Sequence, residues 1–178
     1  MIEEVLSFWF EQNGPEQWWT RDPQFDAEIR ARFGALHERA VPGELHDWRD
    51  TPEGRLAEIV VLDQFSRNLY RDDARAFAAD GMALALAQEA VRVGADQAVP
   101  PVQRQFFYMP YQHSESRQIH EDAMALFERL EEPEALGYER RHKAIIDRFG
   151  RYPHRNEVLS RPSTDEEIAF LREPGSSF

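Results

Sequence analysis

The sequence has no cysteine, which excludes disulfides, thiolate nucleophiles and cysteine-based zinc or iron–sulfur centres. Lysine is almost missing too: Lys143 stands alone against twenty arginines. GC-rich codon bias accounts for such a ratio; the alternative is bidentate anion recognition, for which a planar guanidinium is better built than an ammonium. No apolar run approaches the ~20 residues of a membrane-spanning helix. The opening stretch MIEEVLSFWF carries two acids and no basic segment, so it does not read as a signal peptide. Positive charge is short overall, with a net of −12. That argues against nucleic acid or an anionic membrane as partner, because phosphate contacts need a basic face. These absences predict a soluble, cytoplasmic protein.

Core-forming residues, by contrast, are plentiful. Twelve Phe, four Trp and five Tyr outweigh a 30% charged content and predict a folded chain. A length of 178 residues suits one domain over 1–178.

Apolar positions recur at helical spacing throughout, and no segment alternates like a strand. Ile2, Val5, Leu6, Trp9 and Phe10 mark a first helix, ended at Gly14-Pro15; Phe25, Ile29, Phe33, Leu36 and Ala40 mark a second, stopped at Pro42-Gly43. Thr51-Pro52, a capping side chain before a first-turn proline, opens a third helix running to about Tyr70. An alanine-rich fourth spans roughly 77–93. A short piece around 102–109 is expected to break at Pro110. The sixth carries Ile119 to Leu130, and the seventh runs from Pro133 to a stop at Gly150. Ser163-Thr164-Asp165-Glu166 reads as a capping box for a last helix through Leu171. The fold class is therefore all-α, about 7–9 helices stacked as antiparallel pairs.

Three polar clusters interrupt this pattern. In the third helix, Asp63 and Arg67 share a stripe with Leu56, Val60 and Tyr70, and a charge on an apolar face must be paired or functional. A structural ion pair is one reading; a polar pocket floor with Asn68 beside it is the other. The second cluster, 108–116, packs aromatics, His113, two serines and Glu115 ahead of a helix. Ser114 or Ser116 serves as a cap, or His113 and Glu115 form an acid–base or ligand-binding pair. The third is electrostatic: residues 139–161 hold seven basic side chains against three acidic ones, +4 inside a chain that is otherwise −16. Arg148, Arg151, His154, Arg155 and Asn156 would offer donors to a small anion or carboxylate, or tie the loop to acidic neighbours. His142 lies on the apolar stripe of the seventh helix, where a lone histidine is ordinarily a satisfied core residue. No serine-hydrolase elbow is present. His120-Glu121 is no zinc-protease motif either, since Met124 stands where the second histidine belongs. Neither a metal nor a cofactor is expected.

Leu62-Asp63-Gln64-Phe65-Ser66-Arg67-Asn68, Tyr111-Gln112-His113-Ser114-Glu115 and the run 142–156 resemble a bacterial family catalogued as domain-of-unknown-function family 924. The segments 5–10 and 161–167 resemble its two ends, so the likeness covers nearly the whole chain. It implies a TPR-like helical superhelix and assigns no catalytic residue. Ser66 stands where the family often has proline, implying loss of a helix kink. Ser160 stands where it often has glycine, implying an altered turn.

Two functional readings follow. One is a small-molecule site between helices: Asp63, Arg67 and Asn68 on one wall, His113 and Glu115 on another, the arginine-rich run as rim. His113 or His154 would be its acid–base group, oriented by Glu115 or Asp63. The other is a helical scaffold that grips a peptide in its groove. The first requires the three clusters to converge in space.

Overall fold

In a computed structural model, which describes residues 1–177, every regular element is helical. Helix α1 comprises Ile2–Ser7 and a π-helical turn Phe8–Gln12; α2 is the short Pro15–Trp18, and α3 is Pro23–Ala40. Helix α4 joins three pieces without a break: Pro52–Ile59, a π-helical turn Val60–Phe65, and Ser66–Leu69. Then come α5 (Asp80–Arg92), α6 (Pro101–Gln112), α7 (Arg117–Leu130), α8 (Pro133–Phe149) and α9 (Asp165–Phe170). The all-α class and the helix number agree with the sequence reading. Successive helices pack on one another, and the brief connections at 113–116 and 131–132 turn α6, α7 and α8 back to back.

The signals that start and stop these helices are local. Thr51 accepts a hydrogen bond from the Gly54 amide at 3.1 Å, satisfying a first-turn donor of α4. Gly54 is also required by contact, since a Cβ there would lie 1.9 Å from the Trp48 carbonyl oxygen. Gly150 ends α8 at φ 71°, a left-handed conformation natural to glycine. An aromatic nucleus of Phe8, Trp9, Phe25, Phe33, Phe65 and Phe106 binds α1, α3, α4 and α6, its rings 5.0 to 6.3 Å apart. Alanines 83, 87 and 90 are fully buried and let α5 approach its neighbours closely.

Four expectations need correction. Helix α6 does not break at Pro110 but runs on to Gln112. The proline forfeits one hydrogen bond, and the His113 amide closes the last turn on the Met109 carbonyl at 2.9 Å. The fourth helix begins at Asp80, because Asp73 caps a separate 3-10 turn, Ala74–Phe77. The capping box of α9 lies one residue later, between Thr164 and Glu167. Ser66 leaves α4 no more regular, since the π turn immediately precedes it. Ser160 does sit in a strained turn, at φ 53°, where glycine would fit without cost.

Candidate functional site

Asp63 lies within the π turn of α4, inside the molecule and 1% exposed. Helices with an inserted residue turn a side chain away from the ideal stripe, and such turns gather at functional positions. Asp63 accepts from the His113 ring Nδ1 at 2.8 Å and from the Gln64 amide at 2.6 Å, with Arg67 at 3.3 Å. Burial alone would raise the Asp63 carboxyl, but His113 and Arg67 outweigh it and hold the group below the ordinary carboxylate range. His113 is driven the other way: burial first, then the Arg67 charge, lowers its pKa. The pair is therefore an ionised aspartate beside a neutral imidazole. With Nδ1–H donated to Asp63, the lone pair lies on Nε2, which bonds to none of the described residues.

His113 ends α6 on a wall shared by two cavities. The larger, about 680 Å³, runs between α4, α6, α8 and the 152–158 loop and is lined by Arg67, His113, His142, His154 and Arg155 among others. The smaller, about 310 Å³, lies across the wall beside Asp80, Ser114 and Glu115. Phe77, His113 and Arg155 border both.

The wall is held by one carboxylate that the sequence did not single out. Asp80, in the first turn of α5, accepts two bonds from Arg67 at 3.0 and 3.1 Å and one from Arg155 at 3.3 Å. Arg155 also donates to the His113 carbonyl at 3.1 Å, which brings the second and third clusters into direct contact. Its guanidinium lies between the Phe77 and Tyr152 rings, 4.4 and 4.7 Å from their centroids. Burial and the nearby Arg67 charge both lower the Arg155 pKa. A buried and a half-buried cation thus crowd around Asp80.

Two further imidazoles face this cavity. Burial pushes His142 down to about 3; burial and then Arg155 push His154 down to about 4. His142 Nδ1 donates to the Tyr138 carbonyl at 2.9 Å. Arg71 and Asn68 complete the polar wall and share Asp26, Asn68 at 2.7 Å. Among the described lining residues the one carboxylate is Asp72, exposed at the rim beside Arg21.

The remaining candidates lie away from the larger cavity. Glu115 orients no histidine: it accepts from Arg161 at 2.6 and 2.9 Å and from the Tyr152 amide at 2.7 Å. Arg151 pairs with Glu167 at 2.7 and 2.8 Å, and Arg148 with Glu166 at 2.8 Å on the surface. Asn156 is buried against Ser163, Arg161 and Glu167. None of these three lines either cavity. Behind the cavity lies a buried pair that sequence reasoning missed: His120 Nδ1 and Glu139 are 2.7 Å apart, neither exposed to solvent. Burial raises the Glu139 pKa. The two residues sit on different helices, nineteen apart in sequence, with no local signature.

Fold and site together define an all-helical protein with an imidazole- and guanidinium-lined interior cavity. The family model described as "Bacterial protein of unknown function" matches residues 5–175, and the chain belongs to that family. A solved structure of a protein of unknown function from Agrobacterium tumefaciens is similar, with 38% identity, a TM-score of 0.92 and 96% of each chain covered. No curated protein matches. No described helix is long and apolar enough to cross a membrane.

Proposed function

We propose that the larger cavity binds a small molecule through an oxyanion, a carboxylate above all, and that His113 takes up a proton on Nε2 as the anion binds. The observation that carries this reading is the Asp63–His113 pair, closed at 2.8 Å on Nδ1 and open on Nε2 at the cavity wall. A buried carboxylate fixes the tautomer and ring orientation of such a base and stabilises the imidazolium formed when Nε2 takes a proton. Asp63 stays ionised throughout.

The charges around His113 support an anion as ligand. Arg67 and Arg155 oppose each other across Asp80, so an incoming anion relieves a repulsion already built into the wall. The same anion would cancel part of the field that lowers the His113 pKa, so binding would make the ring a stronger base. Arg155, stacked between two aromatic rings, is already ordered and loses little freedom on binding. A TPR-like stack of helix hairpins would then serve as scaffold for an interior pocket rather than for a peptide groove.

The test is calorimetric titration of the wild type and of His113→Asn with small carboxylates at constant ionic strength, in buffers of different ionisation enthalpy. Asparagine can still donate to Asp63 but takes up no proton near neutral pH. The expected result is binding to both proteins, with proton uptake in the wild type alone. Equal proton uptake in both would remove His113 from the chemistry, and absence of binding would remove the site.

A further inference from the structure

The larger cavity changes character along its length. Helix α6 lines it with Gln105, Met109 and Gln112 and its cap His113, so the cavity follows one helix face over eight rises, about 12 Å. Helix α8 runs alongside from Ala135 to His142. The His113 and His142 rings are 6.5 Å apart and mark the basic end. At the Gln105 end the neighbouring Phe106 carries the two tryptophans that line the cavity: Trp19 stacks on its ring at 6.2 Å, and Trp18 meets it edge-on at 5.0 Å. Met109, Phe127 and Ala135 continue that apolar surface; its polar members are Gln105, Gln64 beside the Met109 sulfur, Thr20, and Arg21, whose charge is already met by Asp72. Trp19 is 50% exposed, an indole left open at a cavity rim in a molecule whose Trp9 and Phe106 are sealed.

From this polarity gradient we infer that the ligand is an amphipathic organic acid, its carboxylate at the Arg155–His113 end and an aromatic or alkyl body lying along Met109 toward Trp18 and Trp19. This rests on the anion-binding reading and adds the substrate class to it. An inorganic anion or a short dicarboxylate would satisfy the basic end and leave the indoles wet. A ring or a chain of several methylenes removes apolar surface from water on both sides, and indole faces favour flat π systems.

The experiment compares acetate, 3-phenylpropanoate, octanoate and the neutral 3-phenylpropan-1-ol by calorimetry, against the wild type and Trp19→Ala. Because Trp19 is half exposed, its removal leaves the core intact. Binding of 3-phenylpropanoate or octanoate should be at least about tenfold tighter than acetate, the yield of burying two or more methylenes, and about tenfold tighter than the alcohol. Trp19→Ala should shrink the advantage over acetate and leave acetate itself unchanged. Equal affinity for acetate and the two longer acids would overturn the amphipathic assignment while leaving the anion site standing. Equal affinity for the acid and its alcohol would overturn the anion site instead. Silence from every probe would overturn both.

Discussion

Residues 148–161 supply two regions built from the same side chains with opposite electrostatics. Toward α9, Arg148, Arg151 and the nearby Arg161 each meet a carboxylate of their own, Glu166, Glu167 and Glu115. Toward the cavity, Arg155 shares Asp80 with Arg67, and three imidazoles, His113, His142 and His154, line the same end. Three arginines of the +4 segment 139–161 are thus matched to carboxylates outside it, and Arg140 and Arg141 lie exposed on α8. Arg155 is the one turned into the cavity. A surplus of arginine in a sequence says little until each guanidinium is matched to its acid.

The largest effect that sharpens this contrast is expected at Asp63. Asp63→Ala leaves Arg67 without one of its two acids and frees His113, and loss of a buried partner typically costs about 3–5 kcal/mol. Denaturant melts measure it; a loss below about 1 kcal/mol would mean the aspartate is dispensable to the wall. On the paired side, Glu167→Ala strips acceptors from Arg151, Asn156 and the Thr164 amide. It should cost about 2 kcal/mol, the range for hydrogen bonds to a charged group, without changing carboxylate binding. A change in affinity would join the two regions that the geometry separates.

Acid should distinguish the regions by window. His142 and His154 titrate lower in the folded chain than their ordinary value of 6.5, at about 3 and about 4. Below 6.5 the unfolded chain binds protons that the folded one refuses, so stability falls with pH, by up to about 1.4 kcal/mol per unit per histidine. Glu167 is held near 2 against an ordinary 4.5, first by its bond to Arg151. Its contribution is complete above 4.5 and is lost as pH falls through about 2. Urea midpoints from pH 7 to 3 should therefore begin to drop near 6.5; His142→Gln should flatten the upper part and Glu167→Gln only the part below 4.5. A wild-type profile flat down to 4.5 would mean that the cavity imidazoles are not held neutral. The smallest effect is Ser160→Gly, expected to stabilise by about 0.5–1 kcal/mol by relieving the left-handed backbone; no gain in melting temperature would mean that the serine is unstrained.

Helix order and most termini were legible in the sequence because they are set by neighbours within four residues: Thr51 and Ser116 as caps, Pro133 at a first turn, Gly150 as a stop. The convergence of the three clusters was legible too, as unusual polarity on apolar faces. Less accessible were features settled by packing at a distance. The π turn at Val60–Phe65, which contains Asp63, has no local signature, and the partner of Asp63, His113, lies fifty residues away. Asp80 looks like any acid in a first helical turn, yet it anchors both arginines of the cavity wall. Arg151 and Arg155 flank the same proline and are equivalent on paper; one turns to Glu167 and the other to the cavity.

Everything proposed for the cavity depends on the protonation of one ring, that of His113. Nitrogen-resolved NMR of the histidine side chains, at neutral pH and with His113→Asn to assign the signal, reads it directly. The prediction is an His113 ring protonated on Nδ1 and bare on Nε2, whose Nε2 resonance moves when 3-phenylpropanoate is added. A ring protonated on Nε2, or one indifferent to the acid, would contradict it.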